Sequence, residues 1–167
     1  NNMTDKLEIE QKLTVEAKNS GFHLSDILPL AIIKKDTSKH ILVRYGYYME
    51  PLPYHYIGKE NKQLDFYLES YLTEPSSGDF IIQYAIMEGT STYINTKPLL
   101  TKYKKLNQDK VQVDVLSLPV NTIRSGNYHI LVNIIDKGKN VLTSRRSNIV
   151  ISNPEADIAY LENYNDQ

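Results

Sequence analysis

The stretch Ile123-Arg124-Ser125-Gly126-Asn127-Tyr128-His129-Ile130-Leu131-Val132-Asn133-Ile134-Ile135 decides the fold class. Its second half is a β-branched run of strand length, placing Ile130, Val132 and Ile134 on one side and Leu131 and Ile135 on the other. Its first half, Ile123-x-x-Gly126-x-Tyr128, has the form of the turn and tyrosine corner of Greek-key sandwiches. In such a corner a glycine permits the tight turn, and the tyrosine hydroxyl bonds back to upstream backbone to fix the crossing between sheets. Gly126 and Tyr128 are therefore expected to be structural.

Working outward, Lys137-Gly138-Lys139-Asn140 reads as a short turn before Val141 and Leu142, with a last strand through Ile149, Val150 and Ile151. Asn153-Pro154-Glu155 is a helix start, with Asn as cap, Pro at the first helical position and an acid in the first turn; it predicts a helix over 154–163. Upstream, Val111, Val113 and Val115 alternate with Gln112, Asp114 and Leu116 as a strand does, whereas residues 99–109 are polar, lysine-rich and mark no clear element. Pro75-Ser76-Ser77-Gly78-Asp79 predicts a hairpin turn into a strand over 80–87.

The cleanest alternation lies at 63–73, where Leu64, Phe66, Leu68 and Leu72 share a face with Ser70, while Asp65, Tyr67, Glu69 and Tyr71 line the other. Residues 41–49 form a β-branched and aromatic strand-like run closed by Glu50-Pro51, and Pro51 and Pro53 predict an extended path into Tyr54-His55-Tyr56-Ile57. Pro29 confines the apolar stretch at 27–33 to an edge or irregular strand. Leu7, Ile9, Leu13 and Val15 alternate with polar residues as a further strand. About eight strands joined by Gly, Pro and Ser turns, with no strand–helix alternation, predict an all-β, immunoglobulin-like or fibronectin-like antiparallel β-sandwich with a short C-terminal helix. The expected division is a terminal strand of a preceding domain or linker at 1–20, the sandwich at 21–152, and a helical linker to a further domain at 153–167.

Composition agrees with β structure: thirteen Tyr, three Phe and no Trp, and a tyrosine ring covers a pleated surface while its hydroxyl stays wet. Nineteen basic against twenty acidic residues leave a net charge of −1, without the clustered positive excess that nucleic-acid binding needs. With no cysteine, thiol catalysis, disulfides and thiolate zinc sites are excluded. No run of about 18 apolar residues occurs, so no membrane span is expected in this segment. Asn1-Asn2-Met3-Thr4-Asp5 is polar and has no apolar leader core, which suggests a trimmed start.

Candidate chemistry is sparse. His23, His40, His55 and His129 show no metal-ligand spacing, no calcium loop occurs, and no cofactor is implied. His23, Ser25 and Asp26 lie close in sequence, but without a nucleophile elbow they read better as a polar turn than as a triad. Asp65 and Glu69 flank Tyr67 on one strand face and could meet a ligand together, although a solvated outer face explains them as well. The strongest binding candidate is the aromatic group Tyr45, Tyr47, Tyr48, Tyr54, His55 and Tyr56, with Tyr67 and Tyr71 beyond. Tyr45, Tyr47, Tyr54, His55 and Tyr56 are the expected ligand-binding residues, since exposed tyrosines give stiff contact area at low entropy cost. Covered sheet surface or an interface with a neighbouring domain is the plainer alternative.

Several segments taken in order also resemble a known family: Phe22-His23-Leu24-Ser25-Asp26-Ile27, Tyr45-Gly46-Tyr47-Tyr48-Met49-Glu50-Pro51, residues 62–71, Leu118-Pro119, Ser125-Gly126-Asn127-Tyr128 and residues 147–154. Together they resemble the region preceding the GWxTD domain in a family of bacterial envelope proteins of unknown function, over roughly residues 22–155. Two departures stand out: no Gly-Trp-x-Thr-Asp motif occurs, and Val120-Asn121-Thr122-Ile123 is longer than the family's usual link. The resemblance implies a periplasmic or outer-envelope location and a sandwich beside a helical C-terminal domain; it carries no catalytic residues. The resulting expectation is a non-enzymatic scaffold or protein-interaction module, with a neighbouring domain or envelope protein as partner. The alternative is a carbohydrate-binding or glycan-processing accessory domain using an exposed tyrosine face.

Overall fold

The computed structural model describes residues 21–73, 78–92, 97–107 and 109–165, so the strand expected at Leu7 to Val15 lies outside the described residues. In chain order the elements are β1 (Phe22–Leu24), β2 (Leu28–Lys35), β3 (Val43–Arg44), β4 (Tyr47–Pro51), β5 (Tyr56–Ile57), β6 (Gln63–Leu72), β7 (Phe80–Glu88), β8 (Pro98–Leu106), β9 (Val111–Pro119), β10 (Gly126–Ile135), β11 (Val141–Ile151) and α1 (Pro154–Asn165). In the first sheet β6 is the centre: β1 and β2 share one of its edges and β9 takes the other, while β2 pairs on to β4 and β4 to β3. The second sheet runs β5–β11–β10–β7–β8, antiparallel except for β5 against β11. The chain changes sheet between β4 and β5, β5 and β6, β6 and β7, β8 and β9, and β9 and β10, which makes an immunoglobulin-like antiparallel β-sandwich with one short C-terminal helix.

The two inner faces follow the period-two pattern. Leu64, Phe66, Leu68, Leu116 and Leu118 face Ile82, Ile86, Ile130, Val132, Ile134 and Ile149, all in one buried cluster. Phe66 meets Tyr84 edge-on across the gap, with ring centroids 6.0 Å apart and planes at 72°.

The β9–β10 crossing is pinned from three sides. Tyr128 Oη donates to Arg124 O at 2.9 Å, the bond of a tyrosine corner. Asn153 Nδ2 donates to Asn121 O and Ile123 O at 3.0 Å each, and its Oδ1 accepts from Ala156 N at 3.3 Å as the cap of α1. Asp157 accepts from Ser125 N at 2.9 Å and from Ser125 Oγ at 2.5 Å, which holds its carboxyl below the ordinary range. Gly126 serves differently from expectation: it is not in the left-handed region, and a Cβ there would stand 3.2 Å from the Tyr128 ring. Close ring approach, not turn geometry, favours glycine here, since a side chain would need the Tyr128 ring to give by a few tenths of an ångström.

Several local expectations are corrected. The run at 41–49 is not one strand but a hairpin, since Tyr45 (φ 51°) and Gly46 (φ 80°) form a two-residue turn with Arg44 paired to Tyr47. Tyr45 therefore sits in the turn, not on a strand, and reaches the outer face by folding back over Tyr67. Residues 53–55 make a short 3-10 turn instead of an extended path, with Tyr54 and His55 both left-handed. Residues 99–109 contain most of β8, whose lysines suit an edge strand. Polar residues 143–148 continue β11, because β10 pairs along its whole length. β2 lies between β6 and β4, not at an edge, though its pairing is irregular between Leu30 and Ile32; the Pro29 carbonyl accepts from Leu52 N where β4 ends. The connection after Leu72 is a crossing between sheets, not a hairpin.

Buried polar groups are mostly satisfied. Asp114, 1% exposed, meets Lys104 Nζ at 2.6 Å and Gln112 Nε2 at 2.7 Å. Ser70, 3% exposed on the inner face of β6, has no partner for its hydroxyl among the described residues.

Three substitutions have expected effects on stability. Tyr128→Phe removes the corner bond and should cost about 1 kcal/mol, and Asn153→Ala should cost about 2 kcal/mol because cap and crossing bonds go together. Equal stability of Tyr128→Phe and the parent in urea denaturation would refute the corner's role. Ser70→Ala relieves an unpaired hydroxyl and should raise stability by up to about 1 kcal/mol, readable as a higher thermal midpoint; a lower midpoint would show that the hydroxyl is paired.

Candidate functional site

On the outside of the first sheet the odd-numbered residues of β6 and β9 stand in register. Tyr71 pairs with Val111, Glu69 with Val113, Tyr67 with Val115 and Asp65 with Ser117. Leu30, Met49 and Tyr67 are buried there, with Leu28, Ile33, Tyr47, Val113 and Val115 packed against them. The outer face is thus an apolar and aromatic surface, not the solvated one that would explain Asp65 and Glu69. The hairpin tip folds over one end: Tyr45, 63% exposed, stacks on Tyr67 with centroids 6.5 Å apart and planes at 19°. Between hairpin and sheet lies a cavity of about 110 Å³, walled by Leu28, Leu42, Met49 and Tyr67 with Arg44 beside them.

Glu69 is the charged centre of this face. Tyr67 Oη and Tyr71 Oη donate to its two carboxylate oxygens, one each. The bond to Glu69, then burial, pushes the Tyr71 phenol up to about 12. Tyr67 is also pushed up strongly, by burial first and the Glu69 bond second. The Glu69 backbone exchanges bonds with Ser25, its N–H donating to Ser25 Oγ and its carbonyl accepting from Ser25 N, both at 2.9 Å. Ser25 is therefore part of strand pairing; Asp26 lies 3.8 Å from Arg145 Nε, and His23 Nε2 is buried without a partner among the described residues, so these three residues do not assemble as a triad. Asp65 accepts from Gln63 Nε2 at 2.9 Å and from Ser117 Oγ, apart from Glu69.

The expected ligand-binding residues separate into two groups. Tyr45 and Tyr47 belong to the first sheet's outer face, whereas Tyr54, His55 and Tyr56 run along the edge of the second sheet. His55 Nδ1 lies 3.0 Å from Asn148 O, which makes that nitrogen the protonated one. Tyr54 is 97% exposed. Among the described residues, four non-glycines have positive φ, and three of them are Tyr45, Tyr54 and His55. For a bulky residue that conformation is strained, so backbone energy is spent at sites that display aromatic rings. Sequence reasoning missed Val111, Val113 and Val115 as site residues. Their signal was the shared alternation with Gln112 and Asp114, whose polar side chains took the inner face through Lys104.

No family model and no curated protein matches the chain. Among solved structures it is similar to the C-terminal domain of wzt (16% identity, TM-score 0.48, covering 80% of this chain and 74% of that one). It is similar also to a β-glucosidase from Erythrobacter marinus (14%, 0.44, covering 79% of this chain) and to the CARDB domain of the PF1109 protein from Pyrococcus furiosus (12%, 0.38, covering 83% and 99%). The chain spans only 15% of the glucosidase's length. What fold and site define together is a sandwich domain with one apolar, tyrosine-rich outer face.

The Tyr67–Glu69–Tyr71 arrangement has a titration signature. Both phenols hold their protons more tightly folded than unfolded, so their contribution to stability is full below about pH 10 and is lost as pH rises towards 12. NMR of ring-labelled tyrosine should show two phenols titrating late, and Glu69→Gln should move Tyr71 back towards the ordinary value. All tyrosines titrating together near pH 10 would contradict the arrangement.

Proposed function

We propose that this domain is a non-enzymatic interaction module of a cell-envelope protein, and that it grips a protein partner with the outer face of the first sheet. One observation carries the reading: Val111, 48% exposed, begins an outward valine row that runs beside Tyr71 and Tyr67, and Tyr45 stacks on Tyr67 at the far end. An outward aliphatic row flanked by tyrosines suits a dry protein contact. A glycan asks for hydrogen-bonding groups, and both Glu69 oxygens already accept from tyrosines, which favours protein over sugar. Placement in the periplasm or outer envelope rests on the family resemblance of the segments at 22–27, 45–51 and 62–71.

The test is a photo-cross-linking amino acid at position 111 in the full chain, expressed in cells that make the protein. The expected result is one discrete protein adduct, reduced at least tenfold by Tyr45→Ala and absent with the cross-linker at Leu99 of β8. Retention of the protein on peptidoglycan or capsular polysaccharide, abolished by Tyr45→Ala, would instead establish the carbohydrate reading.

A further inference from the structure

We propose that the partner binds by adding an extended strand to the edge of β9 that is open among the described residues, with apolar side chains alternating with acidic ones. The inference rests on the outer-face reading and gives it a partner chemistry. Residue parity identifies the free groups. Leu72 N donates to Lys110 O and Val120 N donates to Lys62 O, so even-numbered residues of β9 point their backbone groups at β6. In an antiparallel strand the N–H and C=O of one residue point to the same side, and the side alternates. Val111, Val113 and Val115 therefore present three N–H and three C=O groups away from the sheet, and none of them has a partner among the described residues. The next group on that side, Ser117 O, accepts from Lys102 Nζ at 3.2 Å, which agrees with the parity and marks where the open stretch stops.

This edge lacks most of the devices that discourage pairing. β9 pairs with β6 over nine residues without a register shift, and its one proline is the last residue, Pro119. Elsewhere β8 carries Pro98, Lys102, Lys104 and Lys105, β3 is two residues long, and β11 is partly covered by β5 and irregular near Val141. The chemistry of the added strand is set by what flanks it. On its outer side its residues continue the Val111–Val113–Val115 row and so should be apolar. On its inner side they meet the seam where Lys102 and Lys104 reach across from β8, Lys104 Nζ lying 2.6 Å from Asp114. Acidic residues fit that side. Main-chain bonds would supply affinity, and the alternation would supply specificity.

The probe is a blocked heptapeptide of alternating Val and Glu, added to the full chain, with amide hydrogen exchange read by NMR. Exchange at Val111, Val113 and Val115 should slow at least tenfold, while Gln112 and Asp114, already paired with β6, stay unchanged. A Val–Lys heptapeptide, or the Val–Glu peptide N-methylated at alternate residues, should have no effect. Val113→Pro removes an outward N–H without touching the β6 ladder and should abolish the response. No slowing at millimolar peptide, or equal slowing with the Val–Lys peptide, overturns the proposal. So does slowing without peptide that grows with protein concentration, which would make a second copy the occupant. If the adduct at position 111 survives Val113→Pro undiminished, strand addition falls and the outer-face reading stands; loss of the adduct supports both.

Discussion

The crossing from β9 to β10 is the constraint on which the other elements depend. β9 closes the first sheet against β6, and β10 lies in the middle of the second between β7 and β11. A slip of one residue in the link would turn one strand's buried side chains to the outside. Tyr128, Asn153 and the Ser125–Asp157 pair hold that link through separate bonds to Arg124, Asn121, Ile123 and Ser125. At about 1 kcal/mol per bond, they amount to a sizeable share of the roughly 5–15 kcal/mol that keeps a domain folded. The same side chain that ties the crossing, Asn153, also starts α1, so helix direction and sheet register are set together.

With no disulfide to staple the sheets, the open sides of the sandwich are closed by long cationic side chains. On one side Lys102 and Lys104 leave β8 for Ser117 O and Asp114 of β9. On the other, Arg145 of β11 donates to Leu24 O of β1 through both Nε and Nη2. Their methylene stems cover apolar surface while the heads satisfy buried acceptors. This explains why β9 can turn Gln112 and Asp114 inward: a buried carboxylate persists only where charge and hydrogen bonds meet it.

How much of this was legible in the sequence depends on range. The β6 alternation, the Gly126–Tyr128 signature and the Asn153 cap are local patterns whose physics sits within a few residues, and each corresponds to a bond or face in the structure. β8 and the middle of β11 were not legible, because their polar residues are held in strands by partners far along the chain. The 41–49 run misled for a different reason: tyrosine at Tyr45 is a poor choice for a left-handed turn, so composition argued for a continuous strand. The outward valines could be read as a strand but not as a site, since the face they occupy depends on Asp114 finding Lys104. The tyrosine group was visible as residues but not as two places, because only topology sends β4 and β5 to different sheets.

The two outer faces end up unlike each other, and the difference carries the functional argument. On the second sheet, Asn133 Nδ2 bonds to Gln83 Oε1 and Gln83 Nε2 to Tyr103 Oη in one cross-strand row. Further along, His129 is buried with its Nδ1 against Gly89 O, and Ser91 N reaches Asn148 Oδ1. That face spends its polar groups on itself and is roofed in part by the chain leaving β7. Among the described residues the first sheet is roofed where the β3–β4 hairpin lies, and the Glu69 carboxylate is hydrogen-bonded by two phenols from its own strand. Apart from the Asp65–Ser117 pair at one end, what the β6–β9 row leaves outside is mostly carbon: valines and the exposed Tyr45 ring. Surface of that kind loses little by drying, whereas a partner on the second sheet would have to break bonds already made. The proposed approach of a partner from the first sheet, across the row that begins at Val111, rests on this difference.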